Sequence, residues 1–409
     1  MHRFVLLFAL AAAGASAPVV PQIALPPLGD AVRDQLGTVG RTVDPMLEDT
    51  TRIARDAQDF IRQRTERLAR LVRTSGGAIE PDRTGAPARA GELLLLSPTP
   101  EALDVARKAG FAVLSEERLD MLDIDVTRLR VPAGKRLAEA QAALEALLPG
   151  AEITADTLAF QAGIADGGGA RTKAAAPAST IATPVGMIDG APGARVKAAT
   201  TRGFAKGAPR ASNHGSAIAS LLAGAGVKRV LVADVYGADP AGGNALAIGR
   251  AIDWLAGAGA RVVSISLVGP DNPLLARAVA AGRRRGIVFV AAVGNDGPAA
   301  PPAYPASYPG VVAVTGVDGR NRALIEAGRA LHLDYAAPGA DITAANAAGK
   351  RVKVRGTSYA APLVAARAAA AIDAGADVIR ILDAQARDLG PRGPDAIYGR
   401  GLVCAACRR

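Results

Sequence analysis

A serine, two histidines and two aspartates are the residues of this sequence whose settings best suit chemistry. Ser358 stands in the string Gly-Thr-Ser-Tyr-Ala-Ala-Pro, at the predicted start of a helix of small residues. Backbone N–H groups at a helix N-terminus stabilise negative charge, so this serine would lie beside donors for a developing oxyanion. A Gly-Thr-Ser turn taken alone is also typical of an ordinary helix N-cap. The string predicts a nucleophile only if a base and a carboxylate accompany it.

The base for Ser358 has to be supplied by a histidine, because a serine hydroxyl is a weak nucleophile without one. The sequence contains three histidines, and His2 lies in an N-terminal segment that we expect to be removed. His214 opens an apolar helix, whereas His332 stands between two leucines in a strand-like stretch. We predict that His214 is the base and that His332 is structural.

The third member of such a site is a carboxylate that orients the imidazole and stabilises its protonated form. Asp189 ends the predicted strand 185–188, upstream of His214. Asp234 also ends a predicted strand and is the competing, structural candidate. We predict that Asp189 takes the catalytic role.

The elements that position these residues begin near residue 184, where short apolar strands alternate with helical stretches. The predicted strands are 185–188, 229–235, 260–267, 286–293 and 310–315, and predicted helices begin near His214, Ala245, Pro273 and Thr357. Near-continuous Val, Ile and Ala strands separated by helices indicate an α/β fold, a doubly wound parallel sheet covered on both faces. Sites in such sheets form where strands end and loops meet helices, which is where the candidate residues fall.

A second, smaller pattern precedes this domain in residues 92–156. Predicted strands at 93–96, 111–114, 122–131 and 151–154, with helices at 101–109 and 137–148, give the order β-α-β-β-α-β. This order predicts a small α+β domain of the ferredoxin-like kind. Residues 157–183 follow as a linker, with a soft Gly/Ala-rich segment at 163–179.

The first ninety residues show three different patterns. Residues 1–15 have the layout of a secretory signal peptide, which predicts export to the periplasm or the medium. In residues 16–91 we predict an amphipathic helix over 47–72, followed by a flexible linker over 75–91. Docking of this helix on its own protein, or partial disorder, is favoured over a membrane or a partner helix. No later segment has the uninterrupted apolar length of a membrane span.

The motifs around the three candidate residues, taken together, resemble those of subtilisin-like serine peptidases. The string at Ser358 resembles the nucleophile motif of that family, and His214-Gly215-Ser216 resembles its histidine motif, with Ser216 in place of the usual threonine. Asp189 stands where the family has its aspartate. The family continues with Ser-Gly or Thr-Gly, whereas this chain continues with Gly-Ala. A side-chain hydrogen bond beside the aspartate is therefore missing, which puts the tuning of the site in doubt.

The resemblance extends to further residues over 184–405. Asn295, in Ala-Ala-Val-Gly-Asn-Asp-Gly, matches the asparagine that donates to the oxyanion in the family, although Gly-Asn-Asp-Gly is also an ordinary turn. The string Ser-Ile-Ser-Leu-Val-Gly looks like the family's substrate-pairing strand. It implies four substrate-binding residues, namely Ser264, Ser266, Leu267 and Gly269. The family also carries a small domain before the enzyme, so the resemblance implies that 92–156 is a prodomain and a partner of the enzyme, released by cleavage in 163–179.

Composition limits the other functions. The formal net charge is +10, but aromatic residues make up only 3% of the chain and no nucleic-acid motif is present, so we expect no nucleic-acid partner. Cys404 and Cys407 are the only cysteines and indicate a local disulfide or an incidental pair. We expect no cofactor and name no metal ligand, although the resemblance implies that structural calcium is compatible with the fold.

The sequence therefore predicts an exported serine endopeptidase acting on polypeptides. The alternative is a catalytically silent homologue that serves as an envelope binding or scaffolding protein. The Asp-Gly-Ala departure at Asp189 favours the silent homologue, whereas the complete set of Asp189, His214, Ser358 and Asn295 favours the enzyme.

Overall fold

The structure of this chain is a computed structural model. It describes residues 45–161, 164–169 and 180–408, and for 45–56, 164–169 and 408 it describes the main chain only. The predicted signal peptide and most of the predicted processing segment lie outside the described residues.

The N-terminal part consists of a long helix followed by a small α+β unit. Helix α1 spans Pro45–Thr74. The small unit contains β1 (Ile79–Pro81), β2 (Pro87–Leu96), α2 (Pro100–Lys108), β3 (Ala112–Leu119), β4 (Ile124–Arg130), α3 (Leu137–Leu147) and β5 (Glu152–Thr157). Its antiparallel sheet has the order β1-β2-β4-β3, and β5 also pairs with β2. The predicted β-α-β-β-α-β order is therefore confirmed.

The flexible linker predicted for 75–91 is wrong from residue 79 onwards. Strands β1 and β2 form a hairpin there, closed by a turn in which Asp82 Oδ1 accepts from the backbone N–H of Thr84 and Ala86, both at 2.8 Å. Gly85 adopts a φ of +82° in this turn, a conformation that favours glycine. The Pro, Asp and Gly residues of this stretch shape a hairpin turn and not a coil.

Two short strands, β6 (Phe160–Gln161) and β7 (Ile164–Gly169), follow the small unit, and the central sheet comes after them. Its seven strands are β8 (Val185–Asp189), β9 (Thr200–Gly203), β10 (Val230–Asp234), β11 (Val262–Ile265), β13 (Val288–Ala292), β14 (Val312–Val317) and β15 (Tyr335–Pro338). They are all parallel, in the order β15-β14-β13-β11-β8-β10-β9. This confirms the predicted doubly wound α/β fold.

Helices cover both faces of the central sheet, because its strands are apolar on both sides. The main helices are α4 (Asn213–Gly224), α5 (Ala245–Gly257), α6 (Pro273–Arg284), α7 (Thr357–Asp373) and α8 (Val378–Gln385). Helices α5 and α6 pack into one apolar core and α4 and α7 into the other.

Smaller elements complete the domain. Strand β12 (Leu267–Val268) pairs with β6, and β16 (Ile342–Ala345) and β17 (Arg351–Arg355) form an antiparallel sheet with β7. A 3₁₀ turn at Ala405–Arg408 contains one end of the Cys404–Cys407 disulfide. The structure thus resolves the two cysteines as a local pair.

The small unit docks on the N-termini of helices α5 and α6. Asn272, the N-cap of α6, donates its side-chain amide to Thr154 Oγ1 at 3.1 Å and to Thr157 Oγ1 at 3.0 Å. Asp156 accepts the N–H of Leu246 in the first turn of α5 at 2.9 Å. Burial raises the pKa of Asp156 to about 6, against the opposing hydrogen bond from Leu246 and the charge of Arg89. Polar groups buried in this way stay satisfied only while the two units remain together.

Candidate active site

Asp189 and His214 form the buried centre of the site. Asp189 is the last residue of β8, and His214 is the second residue of α4, whose N-cap Ser212 accepts from Gly215 N at 2.9 Å. Nδ1 of His214 lies 2.8 Å from Oδ2 of Asp189. Asp189 is fully buried and His214 is 6% exposed. Among the described residues, no group hydrogen-bonds Nε2 of His214, so this nitrogen is the one left to accept a proton.

Ser358 lies in the first turn of helix α7, which packs against α4. Its hydroxyl donates to the carbonyl oxygen of Ser266 at 3.1 Å, and Ser266 Oγ donates back to the Ser358 carbonyl at 2.9 Å. The next residue, Tyr359, has its ring 5.4 Å from the His214 ring, measured between centroids. No hydrogen bond joins Ser358 to His214, because the Ser358 hydroxyl is engaged with Ser266 and Nε2 of His214 has no partner among the described residues.

Asn295 follows β13 and is tied to the start of helix α7. Its Oδ1 accepts the backbone N–H of Thr357 at 3.0 Å, while Thr357 Oγ1 bonds both the N–H and the carbonyl of Gly294, each at 3.1 Å. Because the carboxamide oxygen is engaged with α7, its NH₂ group points away from that contact. The contact with the start of α7 therefore uses the carboxamide oxygen of Asn295 and not its NH₂ group.

The string 264–269, predicted to pair with substrate, offers no free strand edge at its first residue, Ser264. Ser264 lies inside β11, whose backbone pairs with β8 on one side and β13 on the other, so no edge is left there for a peptide. The inclusion of Ser264 among substrate-binding residues is therefore wrong. Ser266 contacts Ser358, Leu267 belongs to β12, and Gly269 exchanges backbone hydrogen bonds with Tyr304.

Strand β12 is already paired with part of the chain itself. Gln161 pairs with Leu267 and Phe160 with Val268, in an antiparallel arrangement. The residue before them, Ala159, donates to Gly243 O at 2.8 Å and accepts from Tyr236 OH at 3.0 Å. The segment after the small unit therefore runs extended between two parts of the main domain and reaches the candidate site.

Gln161 is the site residue that sequence reasoning missed. Its amide nitrogen lies 3.0 Å from Oδ1 of Asp189. Nothing local in Phe-Gln marks this role, because the contact depends on the register of β6 against β12. The glycine after Asp189, which lacks the expected hydroxyl, was the one available hint.

Helix α1 also contacts the rim of the site. Arg64 and Arg67 lie 3.2 and 2.6 Å from the carboxylate of Asp296, the neighbour of Asn295. At its C-terminal end, Leu71 and Val72 pack in an apolar cluster that includes Phe160. The prediction that the amphipathic helix docks on its own protein is therefore confirmed.

The two competing candidates have structural roles. His332 Nε2 lies 2.9 Å from the carbonyl oxygen of Val311. The carboxylate of Asp234 accepts the backbone N–H groups of Arg210, Tyr236 and Gly237. Both side chains are thus occupied with the main chain, and the geometry favours Asp189 and His214.

A metal-ligand cluster and a membrane-spanning helix are both absent from the described ranges. Within those ranges, no group of three or more histidine, cysteine or acidic side chains could hold a metal ion. In the same part of the chain, no helix has the length and apolar character needed to cross a membrane.

Comparison with known families identifies the class of protein that this fold and site define. The sequence profile of the subtilase family matches residues 191–401, just over half of the chain. The chain therefore belongs to the subtilase family.

Individual relatives are bacterial subtilisins. Subtilisin DY from Bacillus licheniformis is 34% identical over 171 residues, covering 39% of this chain and 61% of that protein. Subtilisin BL from Lederbergia lenta is 34% identical over 136 residues, covering 33% of this chain and 50% of that protein. The chain thus matches less than two thirds of the length of either relative.

A solved structure shares the fold over a longer stretch. Fervidolysin from Fervidobacterium pennivorans, described as a keratinolytic enzyme related to subtilisin, superposes with a TM-score of 0.64. The alignment covers 78% of this chain and 61% of fervidolysin at 15% identity. At that identity, the likeness shows a common fold.

Proposed function

We propose that this chain is a serine endopeptidase with Asp189, His214 and Ser358 as its catalytic triad. The observation that carries the proposal is the 2.8 Å contact of His214 Nδ1 with buried Asp189, which leaves Nε2 without a hydrogen-bond partner among the described residues. Ser358 lies at the N-terminus of a helix that packs against the helix of His214. Family membership and the bacterial subtilisins support the same reaction.

The proposed reaction is acyl transfer through a covalent intermediate. Ser358 Oγ attacks the peptide carbonyl while His214 Nε2 takes its proton, and Asp189 stabilises the imidazolium. The oxyanion accepts hydrogen bonds from the Asn295 side-chain amide and from backbone N–H at the start of α7. His214 then protonates the leaving amine, and water hydrolyses the acyl-enzyme by the reverse use of the same groups. All of these groups belong to the protein, so the reaction needs no cofactor.

We further propose that the substrate is polypeptide and that its backbone pairs with β12. A strand edge binds an extended peptide through main-chain groups and so tolerates varied side chains. The pairing of β6 with β12 supports this mode of binding, because β6 is an extended segment of the chain itself that already pairs with the β12 edge.

The same pairing supports a prodomain role for residues 92–156. With β6 seated on β12, other polypeptides cannot reach the edge beside Ser358, so the uncut chain would be self-inhibited. We propose that cleavage within or near residues 163–179 releases the small unit. Export of the chain is part of this proposal, supported by the predicted signal peptide and by the name of one relative, the Minor extracellular protease Epr of Bacillus subtilis.

A catalytically silent homologue is the second candidate. The occupied edge and the absence of a hydrogen bond between Ser358 and His214 favour it. Such a protein would keep the groove for binding, with the small unit as a permanent part.

Labelling by a serine-directed fluorophosphonate separates the two candidates. Such probes react only with a serine activated by its base, so we expect the wild-type protein, incubated until its N-terminus no longer changes, to be labelled at Ser358. The Ser358→Ala protein is the control and should remain unlabelled. An unreactive wild-type protein that binds polypeptides would favour the silent homologue.

The oxyanion role of Asn295 gives a separate prediction. We expect Asn295→Ala to lower kcat by about two to three decades, the loss known for this donor in subtilisin, while KM changes little. The reason is that the amide faces charge that develops mainly in the transition state. Steady-state kinetics on a synthetic peptide measures both parameters. A change confined to KM would make Asn295 a ground-state binding residue instead.

A further inference from the structure

The strand that occupies the site supplies a hydrogen bond that the main domain itself lacks. Oδ1 of Asp189 accepts the backbone N–H of Gly190 at 2.7 Å. Its second donor is the side chain of Gln161 at 3.0 Å. An ionised carboxylate only accepts hydrogen bonds, so the amide has to present its nitrogen there. Gln161 thus completes the hydrogen bonding of a fully buried carboxylate.

The departure at Gly190 matches this contact. The subtilisin-like motif has a serine or threonine at this position, whereas Gly190 carries no side chain. A Cβ at 190 would lie 2.5 Å from Ser212 Oγ and 3.7 Å from the Gln161 amide nitrogen. Ser212 is held in place as the N-cap of α4. In this chain, the side-chain donor beside Asp189 therefore comes from β6 rather than from residue 190.

The direction of β6 places Gln161 before the bond to be cut. Gln161 pairs with Leu267, and the residue before Leu267 is Ser266, whose carbonyl accepts the Ser358 hydroxyl. Because β6 is antiparallel to β12, the chain advances towards Ser266 and Ser358 as it passes from Phe160 to Gln161. The bond that Ser358 would attack lies on the C-terminal side of Gln161.

We propose that Gln161 is a positioning residue for self-cleavage, and that the site prefers polypeptides carrying glutamine at the residue paired with Leu267. This rests on the peptidase function proposed above. The amide fixes the Asp189 carboxylate in its orientation towards His214, so part of the catalytic arrangement is supplied by the substrate. Once the small unit leaves, only a substrate with such an amide restores the contact.

Two substitutions of Gln161 separate the amide from the size of the side chain. Leucine is of similar bulk but has no donor, and a hydrogen bond to a buried charged group accounts for about a ten- to hundredfold effect on rate. Glutamate keeps the shape of glutamine but places a second carboxylate beside Asp189, which is repulsive while both are ionised.

The test is the first-order rate of self-cleavage of the full chain made by cell-free translation, followed by mass spectrometry. We expect Gln161→Leu to be about tenfold or more slower than wild type, and Gln161→Glu to be slower still at pH 8. The rate of Gln161→Glu should approach the wild-type rate as the pH falls. The reason is that the substituted side chain, once its carboxyl is protonated, can donate a hydrogen bond to Asp189. A general packing defect would not produce this pH dependence.

Gln141→Leu is the matched control. Gln141 is a buried glutamine of the same small unit, and its amide donates to Glu145 at 3.0 Å. Its substitution should leave the rate of self-cleavage unchanged. In trans, the processed enzyme should hydrolyse a peptide of residues 157–168 with a higher kcat/KM than the same peptide with leucine at 161.

The outcomes distinguish this inference from the function on which it rests. The proposed role of Gln161 is wrong, while the peptidase function stands, in two cases. Either the wild type and Gln161→Leu cut themselves at the same rate, or Gln141→Leu is slowed as much as Gln161→Leu. If the wild type cuts neither itself nor the peptide and does not react with a fluorophosphonate, the peptidase function fails and the inference fails with it.

Discussion

Ser358→Ala is expected to leave the full-length chain uncut and to abolish peptide hydrolysis. The substitution removes the attacking oxygen, and loss of this serine in subtilisin lowers kcat by about a millionfold. In the structure, the Ser358 hydroxyl makes one hydrogen bond, to Ser266 O, so its removal costs little packing. Mass spectrometry of the N-terminus and a peptide assay measure the two losses, and thermal unfolding checks that the fold is kept.

Ser264→Ala is the matched control for this experiment. Ser264 is also a fully buried serine near the site, and among the described residues its hydroxyl has no hydrogen-bond partner. The same chemical change there should leave self-cleavage and hydrolysis near wild-type rates. Undiminished turnover of a folded Ser358→Ala protein would contradict the assignment of the nucleophile.

The strands, helices and triad candidates could be predicted because their signals are local. Apolar runs such as those of β8 and β13 are buried on both faces of the sheet, and this is the pattern that predicts them. Asp189, His214 and Ser358 each stand at the junction of an element and a loop. The parallel topology brings such junctions to one edge, where Asp189 contacts His214 and the helix of Ser358 packs against the helix of His214.

The remaining features depend on long-range register, which leaves little local trace. The contact of Gln161 with Asp189 exists because β6 pairs with β12 in one particular register. A shift of one residue would turn the amide to the other side of the strand. The burial of Ser264 likewise depends on the residue at which the pairing of β11 ends, which is Ile265. The sequence is equally apolar before and after Ile265, so it does not mark this end.

The hairpin of β1 and β2 shows a different limit. Proline, aspartate and glycine occur both in coils and in tight turns, and the flanking strands decide between the two. Strand β2 includes the apolar run 93–96, which pairs with β4 and β5. This pairing holds the preceding residues of β2 in a strand as well, although their own sequence predicts a strand only weakly. Tertiary pairing outweighed the local preference there.

His214→Ala is expected to lower kcat by nearly as much as loss of the serine, because the members of a triad act as a unit. Without the imidazole, the proposed triad has no base for the Ser358 proton, because the Asp189 carboxylate hydrogen-bonds His214, Gly190 and Gln161 and not Ser358. Steady-state hydrolysis of a peptide and the rate of self-cleavage measure the effect. Fluorophosphonate labelling of Ser358 should be lost in parallel, because reaction with the probe needs the same base.

His332→Ala is the control that decides between the two histidines. His332 bonds the carbonyl oxygen of Val311 and lies 3.5 Å from Asp334, so its contacts are with residues outside the proposed triad. Its removal should change thermal stability slightly and leave kcat unchanged. Equal loss of activity from both substitutions would reopen the choice of base, whereas a loss confined to His214→Ala agrees with the short contact between Nδ1 and Asp189.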